Sequence, residues 1–348
     1  MLRICYNYGE KVIIMKIIVD AFGGDNAPVE IIKGAVMASK EYSVDIILCG
    51  DEDKIKACSE KYGIDIHDCE ILHAPSVIGV DEDPTLVVKG RTDSSMSIGL
   101  LALSEGRADA FVSAGSTAAL VVGGNLIVKR IRGIKRAAIA SVMPSADKPF
   151  MLMDSGANLD ITPKSLVQFG MMGSIYMKRV MSVKNPRVAL ANIGVEENKG
   201  PELYREGYKL LAAQKDFDFT GNIEVRDIPY GGADVVVADG FTGNVILKMY
   251  EGVAGALMKN IKGIFMKNLI TKIGALCVKG GVTEFKNKMD YKQYGGAPLL
   301  GLAKPVIKAH GSSDATAIKN AIRQAKYFSE TGVISDIASY VAQMKDDE

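Results

Sequence analysis

The chain is predicted to fold as α/β, a doubly wound three-layer α/β/α sandwich with a mainly parallel sheet, drawn into two lobes with a cleft. Three observations carry this. Short apolar runs alternate with helical-period segments almost throughout, the pattern of a parallel sheet covered by helices on both faces. One apolar run after another ends in a loop of Gly, Asn, Ser, Thr and Asp. The 348 residues exceed the roughly 100–200 of a usual domain, so two packed units are expected.

KIIVDA (16–21) reads as the first clean strand. Pro28 opens a helix through about Ser39, with Asp25 or Asn26 placed to cap it. Strand 44–49, a helix from Asp51, strand 69–73, a helix around Ser94–Glu105 and strand 109–113 follow. Met96, Ile98, Leu101 and Leu103 are the apolar positions of the Ser94–Glu105 helix. Further strands are expected near 137–142, 150–154, 187–191, 217–220, 234–238 and 305–309, and helices near 163–181, 200–213, 243–260, 313–326 and 334–345. Thr162-Pro163 is an N-cap followed by proline at the first helical position. With no internal repeat and no low-complexity linker, fold logic assigns 1–14 to an N-terminal extension, 15–112 plus 297–348 to a first lobe, and 113–296 to a second. Met15, just before the first strand, is a candidate start.

Composition removes several classes of function. Apolar residues make up 48% and charged residues 24%, which indicates a globular chain with a sizeable core. A net charge of +1 provides no electrostatic footprint for nucleic acid, so a charged partner must be met locally. Cys5, Cys49, Cys58, Cys69 and Cys277 are odd in number and contain no C-x-x-C pair, which fits a reduced, cytoplasmic setting without a disulfide framework. The opening MLRICYNYGEKVII does not read as a signal peptide, because Glu10 and Lys11 interrupt its apolar region. Ala110–Val128 is uncharged, but Ser113, Gly115, Ser116, Thr117, Gly123, Gly124 and Asn125 make it a strand, turn and helix rather than a membrane span.

The polar loops are FGGDNAP (22–28), SAGST (113–117), DSGAN (154–158), NIGVEENKG (192–200), GN (221–222), DGFTGN (239–244) and HGSS (310–313). In open α/β sheets, ligands bind at the carboxyl ends of the strands, so these loops are expected to converge along one rim. Glycines there admit a ligand close to the backbone, and amides at helix starts suit an anion; the same residues are also plain turn formers. No G-x-x-x-x-G-K-[ST], no G-x-G-x-x-G after the first strand, no H-E-x-x-H and no G-x-S-x-G occurs. With only His67, His73 and His310, a histidine-rich metal site is excluded, and no motif requires a metal or organic cofactor.

The segments IVDAFGGDNAP (18–28), ADAFVSAGSTAAL (108–120), DSGAN (154–158), NPRVALANIGVEENKG (185–200), GNIEVRDI (221–228), DVVVADGFTGNVILKMYEG (234–252), YGGAPLLG (294–301) and HGSSDATAIKNAI (310–322) run in order from about Lys16 to the C-terminus. On them the chain resembles the bacterial acyl-[acyl-carrier-protein]:phosphate acyltransferases of phospholipid synthesis, relatives of phosphate acetyltransferases. The resemblance implies attack of inorganic phosphate on an acyl carrier protein thioester, an acyl phosphate product for glycerol-phosphate acylation, and a homodimer. Ser116 and Ala118 stand where the family commonly has Asn and Gly, and Asn26 where it often has His. A thioester releases a thiol of pKa near ~8.5, so catalysis can rest on positioning and electrostatics, and few histidines suffice.

Candidate substrate-binding residues are Asp20, Gly24 and Asp25; Ser113, Gly115, Ser116 and Thr117; Asp154, Gly156 and Asn158; Gly194; Asp239, Phe241, Thr242, Gly243 and Asn244; and Ser312. Asn158 and Asn192 are candidate catalytic donors, and Lys199 and Lys248 read either as charges on the phosphate or as solvated helix residues. Glu196, beside Glu197, could orient such a lysine or deprotonate phosphate; His310 could serve an oxyanion or cap its turn.

From Gly252 to Val282 there are five lysines and no acid, interleaved with Leu257, Ile261, Ile264, Phe265 and Leu269. Such a segment suits an anionic membrane surface, here the inner face of the cell membrane; the alternative is a helix packed on the core or in a dimer interface. Two other functions share the loops: a coenzyme A-dependent phosphate acetyl- or butyryltransferase, and a non-catalytic, membrane-recruited binding protein.

Overall fold

A computed structural model describes residues 4–7, 10–13, 15–288 and 294–346. Of the N-terminal extension it describes a two-stranded antiparallel ribbon, β1 (Ile4–Asn7) with β2 (Glu10–Ile13). Eleven further strands among the described residues make one sheet: β3 (Lys16–Asp20), β4 (Asp45–Gly50), β5 (Glu70–His73), β6 (Ala110–Ser113), β7 (Ala138–Met143), β8 (Phe150–Met153), β9 (Arg187–Asn192), β10 (Asp218–Glu224), β11 (Val235–Val237), β12 (Ala297–Leu300) and β13 (Val306–Lys308). Their spatial order is β10-β9-β11-β8-β7-β12-β13-β6-β3-β4-β5.

The sheet is α/β and mostly parallel, with a break at its centre. β13, β6, β3, β4 and β5 form one parallel set, and β10, β9, β11 and β8 another. Between them β7 and β12 pair antiparallel with each other and with their outer neighbours. Three successive reversals leave the two sets running in opposite directions, so their carboxyl ends do not share one rim. This corrects the single-rim expectation. β12 escapes a sequence reading because Ala-Pro-Leu-Leu is short and carries a proline, a residue disfavoured inside a sheet.

Helices cover both faces: α1 (Val29–Tyr42), α2 (Glu52–Tyr62), α3 (Ser95–Ser104), α4 (Thr117–Gly123), α5 (Pro163–Arg179), α6 (Glu202–Ala212), α7 (Gly240–Phe265), α8 (Leu269–Lys288), α9 (Ala315–Glu330) and α10 (Val333–Asp346). Thr162 caps α5, with Pro163 in its first turn. α1 differs from expectation: it starts at Val29 after Pro28, without a side-chain cap, and the Asn26 carboxamide instead donates to the Ser312 and Ser313 carbonyls.

Strand alternation sorts the core. Ile17 and Val19, Ala138, Ala140 and Val142, and Met151 and Met153 join one cluster that also holds α1, α5 and α9 residues, unbroken across both parallel sets. On the other face the core is divided. Ile18, Phe111 and Leu100 belong to one cluster, whereas Phe150, Leu152, Val236 and Ile246 belong to another. The division falls over β7, where Ile139, Ser141 and Met143 floor a cavity of about 1470 Å³.

Candidate active site

Four loops from the two opposed strand sets reach this cavity: Phe22–Asp25 after β3, Ala114–Ala118 after β6, Ser155–Ala157 after β8, and Lys308–Gly311 at the end of β13. They meet because β8 ends beside the start of β7, and the floor of the cavity crosses the short central strands. Asn244, Leu247, Lys248, Tyr250 and Met258 of α7 make a side wall, and Val121, Val122 and Val142 extend it with apolar surface.

At the first set of strand ends, Asp20 is buried, and the Ser113 hydroxyl donates to its Oδ2 at 2.7 Å. The Gly115 amide donates to Ser113 Oγ at 3.0 Å. Burial pushes the Asp20 carboxyl above its ordinary range, against donors from Ser95 and Ser113. Gly23 cannot be another residue here: a Cβ would stand 2.6 Å from both Asp20 Oδ2 and the Gly115 amide nitrogen. Ser116, also buried, caps α4 by accepting from the Ala119 amide at 3.4 Å. The His310 Nδ1 accepts from the Ser312 amide at 3.3 Å and lies 3.0 Å from the Ser312 hydroxyl.

The 154–158 loop is organised from within. Asp154 is fully buried and accepts from the amides of Ile139, Gly156, Ala157 and Asn158, and from the Asn158 carboxamide. The Asn158 carboxamide also donates to the Ala137 carbonyl at 2.8 Å. These amides therefore point away from the cavity, and Asp154 and Asn158 shape the loop while Ser155, Gly156 and Ala157 present its surface. Gly243 lets α7 lie against it, since a Cβ there would stand 1.8 Å from the Asp154 carbonyl oxygen. The Asn244 carboxamide lies over Gly156 and reaches the cavity.

Asp239 caps α7, accepting from the Phe241 and Thr242 amides, the Thr242 hydroxyl and, at 2.5 Å, the Tyr204 hydroxyl. Burial works against its charge, but these donors hold its carboxyl below the ordinary value. Asp239, Phe241, Thr242 and Gly243 support the start of α7 and do not line the cavity.

The 192–200 loop stands apart. Asn192 donates to the Lys199 carbonyl and to Asn222 Oδ1, and the Asn222 carboxamide donates to the Glu196 carbonyl. That lattice ties the loop to the end of β10; Asn192, Gly194, Glu196 and Lys199 are absent from the cavity wall. Glu196 and Lys199 are exposed and pair with each other at 3.8 Å. Of the sequence candidates, the cavity thus gathers Gly24, Asp25, Gly115, Ser116, Thr117, Gly156, Asn244, Lys248 and His310. Asp20 and Ser113 lie directly behind them, and Ser312 holds His310.

A half-buried lysine of the cavity was not singled out from sequence. Lys308 ends β13, lines the cavity, and donates to the carbonyls of Ala309 and Ala114. Burial first, and Lys248 second, bring its ammonium down to about 8, with Asp20 and Asp25 working the other way. The only trace in the sequence is a lysine at the end of the apolar run PVIKA, beside HGSS. Among the described residues, no group of three or more His, Cys, Asp or Glu is placed to hold a metal ion.

The fold is the one seen in solved phosphotransacetylases. A phosphotransacetylase from Streptococcus pyogenes superposes with a TM-score of 0.61 at 19% identity, covering 91% of this chain and 94% of that one. A branched-chain phosphotransacylase from Enterococcus faecalis gives 0.55 at 15% identity, covering 91% and 100%. At such identities the likeness establishes the fold. The family model described as fatty acid synthesis protein matches residues 15–336. Phosphate acyltransferases from Alkaliphilus oremlandii and Clostridioides difficile are 48% and 45% identical over 334 residues, covering 96% of this chain and 99% and 98% of theirs. The chain belongs to this family and is an acyltransferase.

Proposed function

We propose that the protein transfers a long-chain fatty acyl group from an acyl carrier protein thioester to inorganic phosphate, producing acyl phosphate for glycerol-3-phosphate acylation. The observation that carries this reading is one cavity with two chemistries. Its loop end brings together Gly24, Gly115, Ser116, Asn244, Lys248 and Lys308. The wall along α7 runs from Asn244 to Met258, roughly 20 Å at the helical rise, and is largely apolar. An anion fits the first end and an extended acyl chain the second.

In the reaction, an oxygen of HPO₄²⁻ forms a bond to the thioester carbonyl carbon, and the carbon–sulfur bond breaks with its electron pair leaving on sulfur. The phosphate's proton passes to the thiolate, so the products are a free thiol and a dianionic acyl phosphate. Lysines and the Asn244 carboxamide counter the charge gathered around the reacting carbon. The apolar wall favours a long-chain donor over acetyl- or butyryl-coenzyme A. The decisive assay mixes the purified protein with a long-chain acyl carrier protein thioester, with and without phosphate, and follows free thiol and hydroxylamine-reactive acyl phosphate. Phosphate-dependent appearance of both supports the reading. Release of neither supports the non-catalytic alternative, and turnover only with coenzyme A thioesters overturns the carrier assignment.

The reading extends to peripheral membrane association. No described helix is long and apolar enough to cross a membrane. α7 and α8 divide the candidate membrane residues: Ile261 and Phe265 line a groove between the two helices, whereas Leu257, Ile264 and Leu269 are 56%, 64% and 78% exposed. Lys259, Lys262, Lys267, Lys272 and Lys279 are exposed beside them. A cytoplasmic enzyme carrying this surface would meet the inner face of the membrane and hand over an insoluble product there. Replacing Leu257, Ile264 and Leu269 by glutamate is expected to abolish flotation with anionic vesicles and to leave turnover of soluble substrate intact; unchanged flotation refutes it. The homodimer expected from the family is tested by sedimentation equilibrium.

A further inference from the structure

Lys308 sits in a row drawn across three adjacent strand ends. β13 pairs with β6 so that Lys308 lies level with Ser113, and β6 pairs with β3 so that Ser113 follows in step to Asp20. Residues level with one another in neighbouring parallel strands project to the same face. The 2.7 Å bond from Ser113 to Asp20 confirms it for one pair. On the other side, Lys308 lies opposite Ala297 of β12, whose small side chain leaves the lysine open to the cavity.

The lysine's surroundings are unusual for a structural residue. Its ammonium donates to two backbone carbonyls and, among the described residues, forms no direct ion pair. A half-buried cation held only by carbonyls is incompletely neutralised, which is unfavourable unless an anion arrives. Lys248, on the α7 wall of the same cavity, adds repulsion of the same sign. Glu251 pairs with Lys248 at 3.5 Å and Asp25 lines the same end, so Lys248 is partly countered. Lys308 has no direct ion-pair partner among the described residues, and a dianion arriving between the two ammoniums relieves the repulsion that remains.

We propose that Lys308 binds the acceptor phosphate, with the Asp20–Ser113 pair holding the strand ends in register beneath it and Lys248 closing from α7. The inference rests on the acyl-transfer reading for the identity of the anion. It adds which side chain takes it. Ser113 and Asp20 are positioning residues; Lys308 touches the substrate.

The test uses the full-length protein. Lys308→Met is expected to raise the KM for phosphate by on the order of 10- to 100-fold, the worth of a hydrogen bond to a charged group. The KM for the acyl donor should change little, and Lys308→Arg should recover part of the loss. A second measurement needs no variant: wild-type protein is treated with trinitrobenzenesulfonate, and modification of Lys308 is followed by peptide mass mapping. Phosphate is expected to protect Lys308, whereas sodium chloride at equal ionic strength is not. If the wild type turns over, but Lys308→Met keeps its phosphate KM and phosphate does not protect, the Lys308 assignment falls while acyl transfer stands. If the wild type makes no acyl phosphate and phosphate does not protect, both fall.

Discussion

Replacing Lys308 by methionine is expected to make the protein more stable at neutral pH even as it weakens phosphate binding. Burial is the chief reason the ammonium falls from 10.5 to about 8 in the folded chain. In the unfolded chain the amine returns to its ordinary value. Below pH 8 both states hold the proton, and the folded state bears the whole cost of the charge. At about 1.4 kcal/mol per tenfold change in proton affinity, that cost is roughly 3 kcal/mol. Between pH 8 and 10.5 the folded state releases its proton first, so stability climbs with pH, and above 10.5 the difference is gone. Methionine keeps the unbranched shape and removes the charge, at the loss of two carbonyl hydrogen bonds worth about 1 kcal/mol together. A net gain of about 2 kcal/mol remains at pH 7, or roughly 3 °C in melting temperature for a chain of 348 residues. Melts of both proteins in phosphate-free buffer at pH 7 and pH 10 provide the check. Reading the difference between them cancels groups common to both, such as the Cys69 thiol, which burial pushes up to about 11. A variant no more stable than wild type at pH 7, or a gap unchanged at pH 10, would refute the reasoning.

Three further expectations follow from the geometry. Gly243→Ala drives a Cβ against the Asp154 carbonyl, 1.8 Å away, so α7 must lift off the 154–158 loop; a loss of about 2–4 kcal/mol in urea unfolding is expected, and a wild-type midpoint would contradict it. Asp154→Asn turns an amide into the Asn158 donors, which now face another donor; the expected loss is again about 2–4 kcal/mol, read from the same transition. Tyr204→Phe removes the hydroxyl that donates to Asp239. Since the folded Asp239 carboxyl lies below its ordinary 3.8, its contribution is present above that pH and lost as pH falls through the folded value. The variant should lose about 1 kcal/mol at pH 7, and its acid-unfolding midpoint should move to higher pH.

Much of the architecture is legible in the chain because period-2 and period-3.6 patterns alternate without long interruptions. KIIVD, DIILCG and AFVS are buried on both faces and read as continuous apolar runs, as parallel strands should. What could not be read is what depends on long-range pairing. β12 pairs on one side with nearby β13 but on the other with β7, roughly 160 residues earlier in sequence, and these antiparallel pairings help reverse the sheet. The loop after β9 has the same glycine-rich composition as the loop after β6, yet Asn222 fastens it away from the cavity. DGFTGN looks like a ligand loop, but Gly240 and Gly243 are small because the 154–158 backbone runs against them. Lys308 was hidden for the opposite reason: its sequence context is that of a strand, and only the register with Ser113 and Ala297 turns it to the cavity.

The uneven core has a mechanical consequence. One side of the sheet is bound by a single unbroken layer of side chains, like the spine of a book, while the other is parted into two clusters over β7, whose Ile139, Ser141 and Met143 floor the cavity. Flexing that widens the gap disturbs only the few contacts bridging the parted side, whereas flexing the other way must shear the bound one. On the proposed acyl-transfer reading, admission of a bulky donor and grip on a small anion become separate strokes of one bending motion, with the glycine loops as the page edges that meet.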